Sequence, residues 1–203
     1  MPLHTQVHSR KRSRMTRRRL AVLVAVSVLT PTTAAAAPGH DGPGHGPEPG
    51  PKVRAQVEDV RDHTAKYRHP KRAKADGYAL LRDAAGIACI DDPAGGMGVH
   101  LVDGDAVADG RARAGHPEAL VYEPTAHGKR LVAVEYVVFR SDWRAKHPTG
   151  RPRLFGRPFH FVGADNRYGL PPFYELHLWA WKHNPAGLFD DWNPRVHCPP
   201  ARR

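Results

Sequence analysis

Nine residues near the C-terminus carry the densest chemistry in this sequence: Phe173-Tyr174-Glu175-Leu176-His177-Leu178-Trp179-Ala180-Trp181. Read as a strand, the run alternates between two faces. Tyr174, Leu176, Leu178 and Ala180 make an ordinary core face, whereas Phe173, Glu175, His177, Trp179 and Trp181 share the other. A solvent-facing surface would favour Lys and Thr there. A carboxylate, an imidazole and two tryptophans together suit a lined pocket, partly polar and partly aromatic.

Leu131 to Phe139 shows a similar irregularity. Val132, Val134, Tyr136 and Val138 fall on one face, and Leu131, Ala133, Glu135, Val137 and Phe139 on the other. Glu135 is thus a carboxylate in a strand apolar on both faces. An unpaired buried charge is costly, so it needs an arginine, a histidine or a metal ion. An ion pair with Arg167 or Arg195 is the purely structural alternative. A third stretch, Asp91-Asp92-Pro93-Ala94-Gly95-Gly96-Met97-Gly98-Val99-His100, sets three glycines around one methionine. Such glycines permit tight turns and the close approach of a ligand or another strand. His100 opens a strand, where it could equally be a hydrogen-bonded structural histidine.

His100, Glu135, Glu175 and His177 therefore form a mixed imidazole and carboxylate set, with His160 as an outlying member. Such ligands suit zinc, iron, manganese or copper. Met97 would add a soft ligand favouring copper, unless it only packs. The ligand pocket would comprise Glu135, Glu175, His177, Trp179 and Trp181. No HExxH, nucleotide-binding or phosphate-loop signature occurs. Nucleophilic catalysis has little to draw on: there is no GxSxG, and Ser141, the one serine after residue 36, reads as a helix start. Glu135 and Glu175 could in principle work as a glycosidase pair, but sequence does not fix their separation.

Positioning these residues requires a sheet. Val53, Val57, Val60, Thr64, Tyr67 and Ala73 recur near helical spacing, predicting a helix from Val53 to about Ala75, kinked or split at Pro70 and stopped by Gly77. Strands are predicted at Tyr78–Leu81, Gly98–Val102, Ala119–Tyr122, Leu131–Phe139, Pro158–Val162 and Phe173–Trp181, with a hairpin through His127-Gly128-Lys129. One helix followed by a mainly antiparallel sheet with long loops is an α+β domain. Asn184 to Val196 reads as a structured loop that could bring Asp191 and Asn193 toward the pocket or hold the tail in place.

Charge needs care. The 203-residue chain carries 31 Lys and Arg against 20 Asp and Glu, a net +11 that suggests nucleic acid. Residues 1–36, however, hold seven of those basic groups and no acidic one. Without them 24 basic residues face 20 acidic ones, a net of +4, and the case for nucleic acid goes. The segment has a basic start ending at Arg19, an apolar run from Leu20 to Leu29, then small residues around Ala34 and Ala36. That is the pattern of a cleavable signal peptide cut after Ala36, too short to stay as a membrane anchor. Residues 37–52, rich in Gly, Pro and His, read as a disordered linker, and 53–203 as a single domain. Cys89 and Cys198 are the only cysteines, and in an exported protein they most simply form one disulfide.

The combination of Ala73-Lys74-Ala75-Asp76-Gly77-Tyr78, Gly96-Met97-Gly98-Val99-His100, Glu175 to Trp181 and Asp191-Trp192-Asn193-Pro194 resembles a group of uncharacterised secreted proteins of high-GC bacteria. The resemblance implies export and brings no activity or cofactor with it. The expectation is a secreted domain binding a small molecule or metal ion in a His/Glu/Trp-lined pocket, its oligomeric state open. Two alternatives stand beside it. One is an enzyme using the same pocket, metal-dependent or with Glu135 or His177 as general base. The other is a cell-envelope interaction module with no pocket, its tryptophans facing a partner.

Overall fold

A computed structural model describes residues 49–199. The expected signal segment and residues 37–48 of the expected linker lie outside the described residues. Helix α1 (Pro51–Thr64) begins two residues inside that linker, because Pro51 takes the first helical turn, where a missing N–H costs nothing. Arg61 and His63 in its last turn complement the helix dipole. Val57, Val60 and Thr64 form its buried stripe. A 3₁₀ turn (Ala65–Arg68) follows, and His69 is extended (φ −101°, ψ 106°) as the proline after it demands. Helix α2 (Pro70–Ala75) then starts afresh, so the expected long helix is split, and Gly77 at φ +98° ends it.

The rest is sheet and loops. In chain order the strands are β1 (Ala79–Leu80), β2 (Cys89–Asp92), β3 (Gly95–Val102), β4 (Ala119–Thr125), β5 (Gly128–Phe139), β6 (Arg153–Leu154), β7 (Arg157–Pro158), β8 (His160–Val162) and β9 (Phe173–Leu178). Two further helices, α3 (Gly104–Ala108) and α4 (Arg140–Lys146), sit between strands. The main sheet runs β1-β3-β4-β5-β9-β8 with β2 also on β3, and every pairing is antiparallel. The protein is an α+β domain. The β4–β5 hairpin turns at Ala126-His127, between Thr125 and Gly128.

Two bulges matter for the site. On β5, Val121 pairs with Ala133 but Tyr122 with Leu131, leaving Val132 as an extra residue. Alternation therefore reverses there: Leu131 joins the main core with Val134, Tyr136 and Val138, while Val132 turns to the other face with Ala133. This corrects the strict alternation expected through residues 131–133. The second bulge leaves Met97 unpaired between Gly98, opposite Ile90, and Gly96, opposite Asp91. The three glycines around Met97 thus lie in the β2–β3 hairpin.

The helical segments pack on one face of the sheet, where the main core gathers Val57, Val60, Tyr67, Leu101, Leu120, Tyr136 and Leu176 among others. A smaller cluster of Val121, Val132, Ala133, Trp179 and Val196 occupies the opposite face. Val196 reaches it because the tail folds back over β3. Asn193 and Gly96 exchange two backbone hydrogen bonds of 3.1 Å, and Cys89 and Cys198 are disulfide-bonded as expected, closing a span of 109 residues. A Cβ on Gly95 would lie 2.5 Å from Asn193 carbonyl oxygen, and one on Gly96 2.7 Å from that of Val196. The close approach these glycines permit is that of the chain's own tail.

Candidate metal centre

Three strands bring the predicted residues to the smaller cluster's face. Leu101 and Leu120 belong to the helix-side core, so their neighbours His100 and Ala119 point the other way. Register aligns Val102, Ala119, Glu135 and His177 in one row across β3, β4, β5 and β9. His100 lies one step along, opposite Val121. The intervening β4 offers only Ala119 between β3 and β5 in that row. That short side chain leaves the space in which His100 and Glu135 meet.

Nε2 of His100 is 3.4 Å from Oε2 of Glu135. His100, Glu135 and His177 each place one ligand atom within 4.8 Å of the others. The two rings are T-shaped, centroids 6.2 Å apart, and His177 stacks on Trp179 at 4.9 Å. Both histidines are 1% exposed and Glu135 8%. Beyond that 3.4 Å contact, no ring nitrogen of either histidine has a side-chain hydrogen-bond partner. Burial pushes His100 down to about 4, although the nearby Gly98 carbonyl works the other way, and pushes His177 down to about 3. Both are therefore neutral imidazoles with a free lone pair, the form that binds metals. Glu135 is driven well above the usual carboxylate range, by burial first and the adjacent Glu175 next.

The structural alternatives for Glu135 are taken up elsewhere. Arg167 pairs with Asp83 at 3.0 Å, and the Arg195 guanidinium lies 3.3 Å from Nδ1 of His183. Glu123, also buried, is held by Arg130 at 2.5 Å and Lys182 at 2.6 Å. Glu135 has no such cation beside it, only histidines and carboxyls.

Three expectations change. Glu175 is outside the converging triad; burial first, then the field of Asp191, raises its carboxyl to about 7. Trp181 is on the wrong face: β9 ends at Leu178, the N–H of Ala180 turns back to the Leu178 carbonyl, and alternation is lost. Its indole packs against the helix-side core and donates to Thr64 Oγ1 at 3.1 Å. Trp179 stays on the histidine side, its N–H donated to the Asp190 carbonyl at 2.6 Å, so it is a wall rather than a free donor. The aromatic pocket drawn from sequence separates accordingly into two places. One is the buried triad. The other is a cleft of about 1030 Å³ between α1 and residues 183–192, where Trp179, Trp181, Trp192, Phe155 and His160 are among the lining residues.

Residues not anticipated from sequence also bear on the centre. Tyr168, between β8 and β9, sits in the field of Glu135 and Glu175 and its phenol is raised, chiefly by burial. Glu118, fully buried just before β4, is pushed up to about 8 by burial while accepting the Val137 N–H at 3.1 Å. No periodicity marks either one, since both lie at strand ends or in loops. Among the described residues no helix is long and apolar enough to cross a membrane. Comparison with known proteins finds no matching family model, no matching curated protein and no matching solved structure.

Proposed function

We propose that this is an exported metal-binding domain in which His100, Glu135 and His177 hold one divalent transition-metal ion. The observation that carries the reading is the pair of buried imidazoles, poorly supplied with hydrogen-bond partners and converging on a carboxyl group that no Lys or Arg neutralises. Leaving a buried polar group unpaired costs about 1–3 kcal/mol. An ion would supply the missing partner to both rings and to Glu135 together.

Two imidazoles and one carboxylate form a borderline-to-hard donor set that suits zinc or iron with at least one position left for water or another ligand. Glu175 supports this arrangement as a partner to the ligand carboxylate. With a metal held there Glu135 would be its anion, and a protonated Glu175 beside it could donate to it and fix its orientation. The disulfide agrees with an oxidising compartment, and the N-terminal sequence pattern with export to it.

Elemental analysis of the purified protein, after dialysis against metal-free buffer, is the direct test. About one equivalent of a transition metal is expected, and none in His177→Ala. A His177→Ala protein with unchanged metal content would overturn the ligand assignment. The open position would also serve metal-assisted catalysis, with Trp179 and the adjoining cleft as the substrate side. What favours that second reading is the cleft's size, which is sufficient for a small organic ligand.

A further inference from the structure

The cleft of about 1030 Å³ between α1 and residues 183–192 has a mainly apolar wall, with Val53, Leu188, Phe155, Phe189, Trp181 and Trp192 in its lining. The β6–β7 hairpin builds part of that wall in an unfavourable backbone conformation. Leu154 pairs with Arg157 across a two-residue turn, Phe155-Gly156, whose φ angles are +52° and +74°. Turns of that kind favour Asn-Gly, and Phe155 is the one residue other than glycine with a positive φ among the described residues. Packing holds it there. Its ring centroid lies 5.7 Å from that of Tyr136 and 5.7 Å from that of Phe189.

The carboxylates that line the cleft are already engaged. Glu58 accepts from Arg61 at 2.5 Å, Asp190 accepts the Trp192 N–H at 3.0 Å, and Asp191 faces His160 at 3.7 Å. Arg61 is engaged as well, since its Nε donates to the Ala180 carbonyl at 2.5 Å. Arg157 differs. Its guanidinium lies over the Phe189 ring, 5.4 Å from the centroid, and among the described residues it makes no hydrogen bond and no ion pair. Stacking occupies the flat face of a guanidinium and leaves its in-plane N–H groups open, the fork that grips a carboxylate with two hydrogen bonds. Arg54, on α1, is a further cation in the lining, bonded to the Pro49 carbonyl at 2.7 Å rather than to a carboxylate.

We infer that the cleft binds a small organic carboxylate with an aromatic body, its carboxylate held by Arg157 and its ring against the apolar wall beside Phe189. Charge complementarity selects this class. A cationic ligand would have to compete with the partners that Glu58, Asp190 and Asp191 already have. A neutral one would leave the Arg157 fork to water. A flat ring matches a wall built of phenyl and indole groups, which pack face to face or edge to face with it. The inference needs the cleft alone and no ion in the triad, so either site can fail without the other.

The test uses three probes of one shape, 1-naphthoate, 1-naphthalenemethanol and 1-naphthylmethylamine, titrated calorimetrically into the full chain in chelator. 1-Naphthoate should bind saturably at one site, and the alcohol and the amine about tenfold more weakly or worse, the scale of a hydrogen bond to a charged group. Arg157→Gln should bring 1-naphthoate down to the affinity of the alcohol and leave the alcohol unchanged. Arg157→Lys, which keeps the charge and loses the fork, should fall between. Arg157 is exposed, so these changes spare the core, and near-ultraviolet circular dichroism checks that they do. No saturable binding of 1-naphthoate would overturn the site. Equal affinity for the three probes, or tighter binding of the amine, would overturn the ligand class. A preference for 1-naphthoate that survives in Arg157→Gln would overturn Arg157 as its anchor. All these readings are taken without metal, so none of them decides whether the triad holds an ion.

Discussion

The two faces of the main sheet both bury polar atoms and treat them differently. On the helix side, Tyr78 donates to the Pro117 carbonyl at 2.8 Å, Tyr122 to Tyr67 at 2.7 Å and Tyr136 to Ala114 at 2.8 Å, while Trp181 reaches Thr64. On the other face the four ring nitrogens of His100 and His177 have no side-chain contact closer than the 3.4 Å one between His100 Nε2 and Glu135. Elsewhere in the described residues only Glu118 Oε1, Trp143 Nε1 and Arg144 Nε are buried side-chain atoms with no hydrogen-bond partner. The helix side thus leaves single atoms unpaired at Glu118 and Trp143, whereas the other face gathers both nitrogens of two imidazoles in one place, a deficit that a bound ion would fill. Selection for stability alone would replace such histidines with leucine, as buried polar groups are tolerated where they are satisfied.

The largest effect that separates the faces is on metal itself. Adding the metal to chelator-stripped protein should raise the thermal midpoint, because an ion that binds only the folded state contributes about 4 kcal/mol at roughly a thousandfold excess over Kd. His100→Ala should abolish that rise, whereas Tyr136→Phe on the helix side should keep it. A metal-dependent shift surviving in His100→Ala would erase the distinction between the faces. Next in size is the tail that covers the histidine face. Replacing Cys89 and Cys198 together by serine should cost up to about 4–5 kcal/mol in denaturant unfolding, the loop-closure figure for a span of this length. Because the tail also packs through Val196 on the face that carries the triad, the double variant should release its metal faster as well. Stability loss with an unchanged release rate would show that the cover on that face does not depend on the bridge.

How much of this contrast the sequence displays depends on the element. Glu135 and His177 are legible because each breaks an otherwise apolar alternation, and the register of β5 on β9 sets them side by side. His100 is legible as a polar residue in an apolar strand, but it lies near the end of β3 and not at its start as expected, because the strand already begins at Gly95. Trp181 is misread because alternation ends where the strand does, and nothing local in Trp179-Ala180-Trp181 signals the turn. Leu131 and Val132 exchange faces for a related reason: a bulge is a property of the pairing, not of one strand. The role of the glycines around Met97 needs the tail, about a hundred residues away in the chain, to become visible. Glu118 and Tyr168 sit where no period exists to be broken.

Glu118 offers a smaller effect, on the helix side, with a definite sign. Its carboxyl keeps its proton up to about 8 in the fold, against an ordinary value of 4.5. Between those values the native state binds more protons than the unfolded chain, so stability falls as pH rises through that window. Glu118→Gln keeps an oxygen for the Val137 N–H and removes the titration. Its unfolding free energy should be flatter from pH 5 to 9 and exceed that of the unaltered protein at the alkaline end, with metal content unchanged. Equal slopes in the two proteins would mean that burial does not hold this proton.

The smallest expected change is the sharpest discriminator, because its sign should differ between the faces. Tyr122→Phe leaves the Tyr67 carbonyl without its donor in the core and should cost about 1–2 kcal/mol, as for other hydrogen bonds removed from one side only. His177→Leu, measured on metal-free protein, removes two unpaired nitrogens and keeps a side chain of similar bulk beside Trp179. It should be neutral or should stabilise by about 1 kcal/mol, while binding no metal. Chemical denaturation of both variants in chelator reads the two signs directly. If His177→Leu proves as destabilising as Tyr122→Phe, the imidazole has a structural partner in the metal-free protein, and the histidine face has no deficit for an ion to fill.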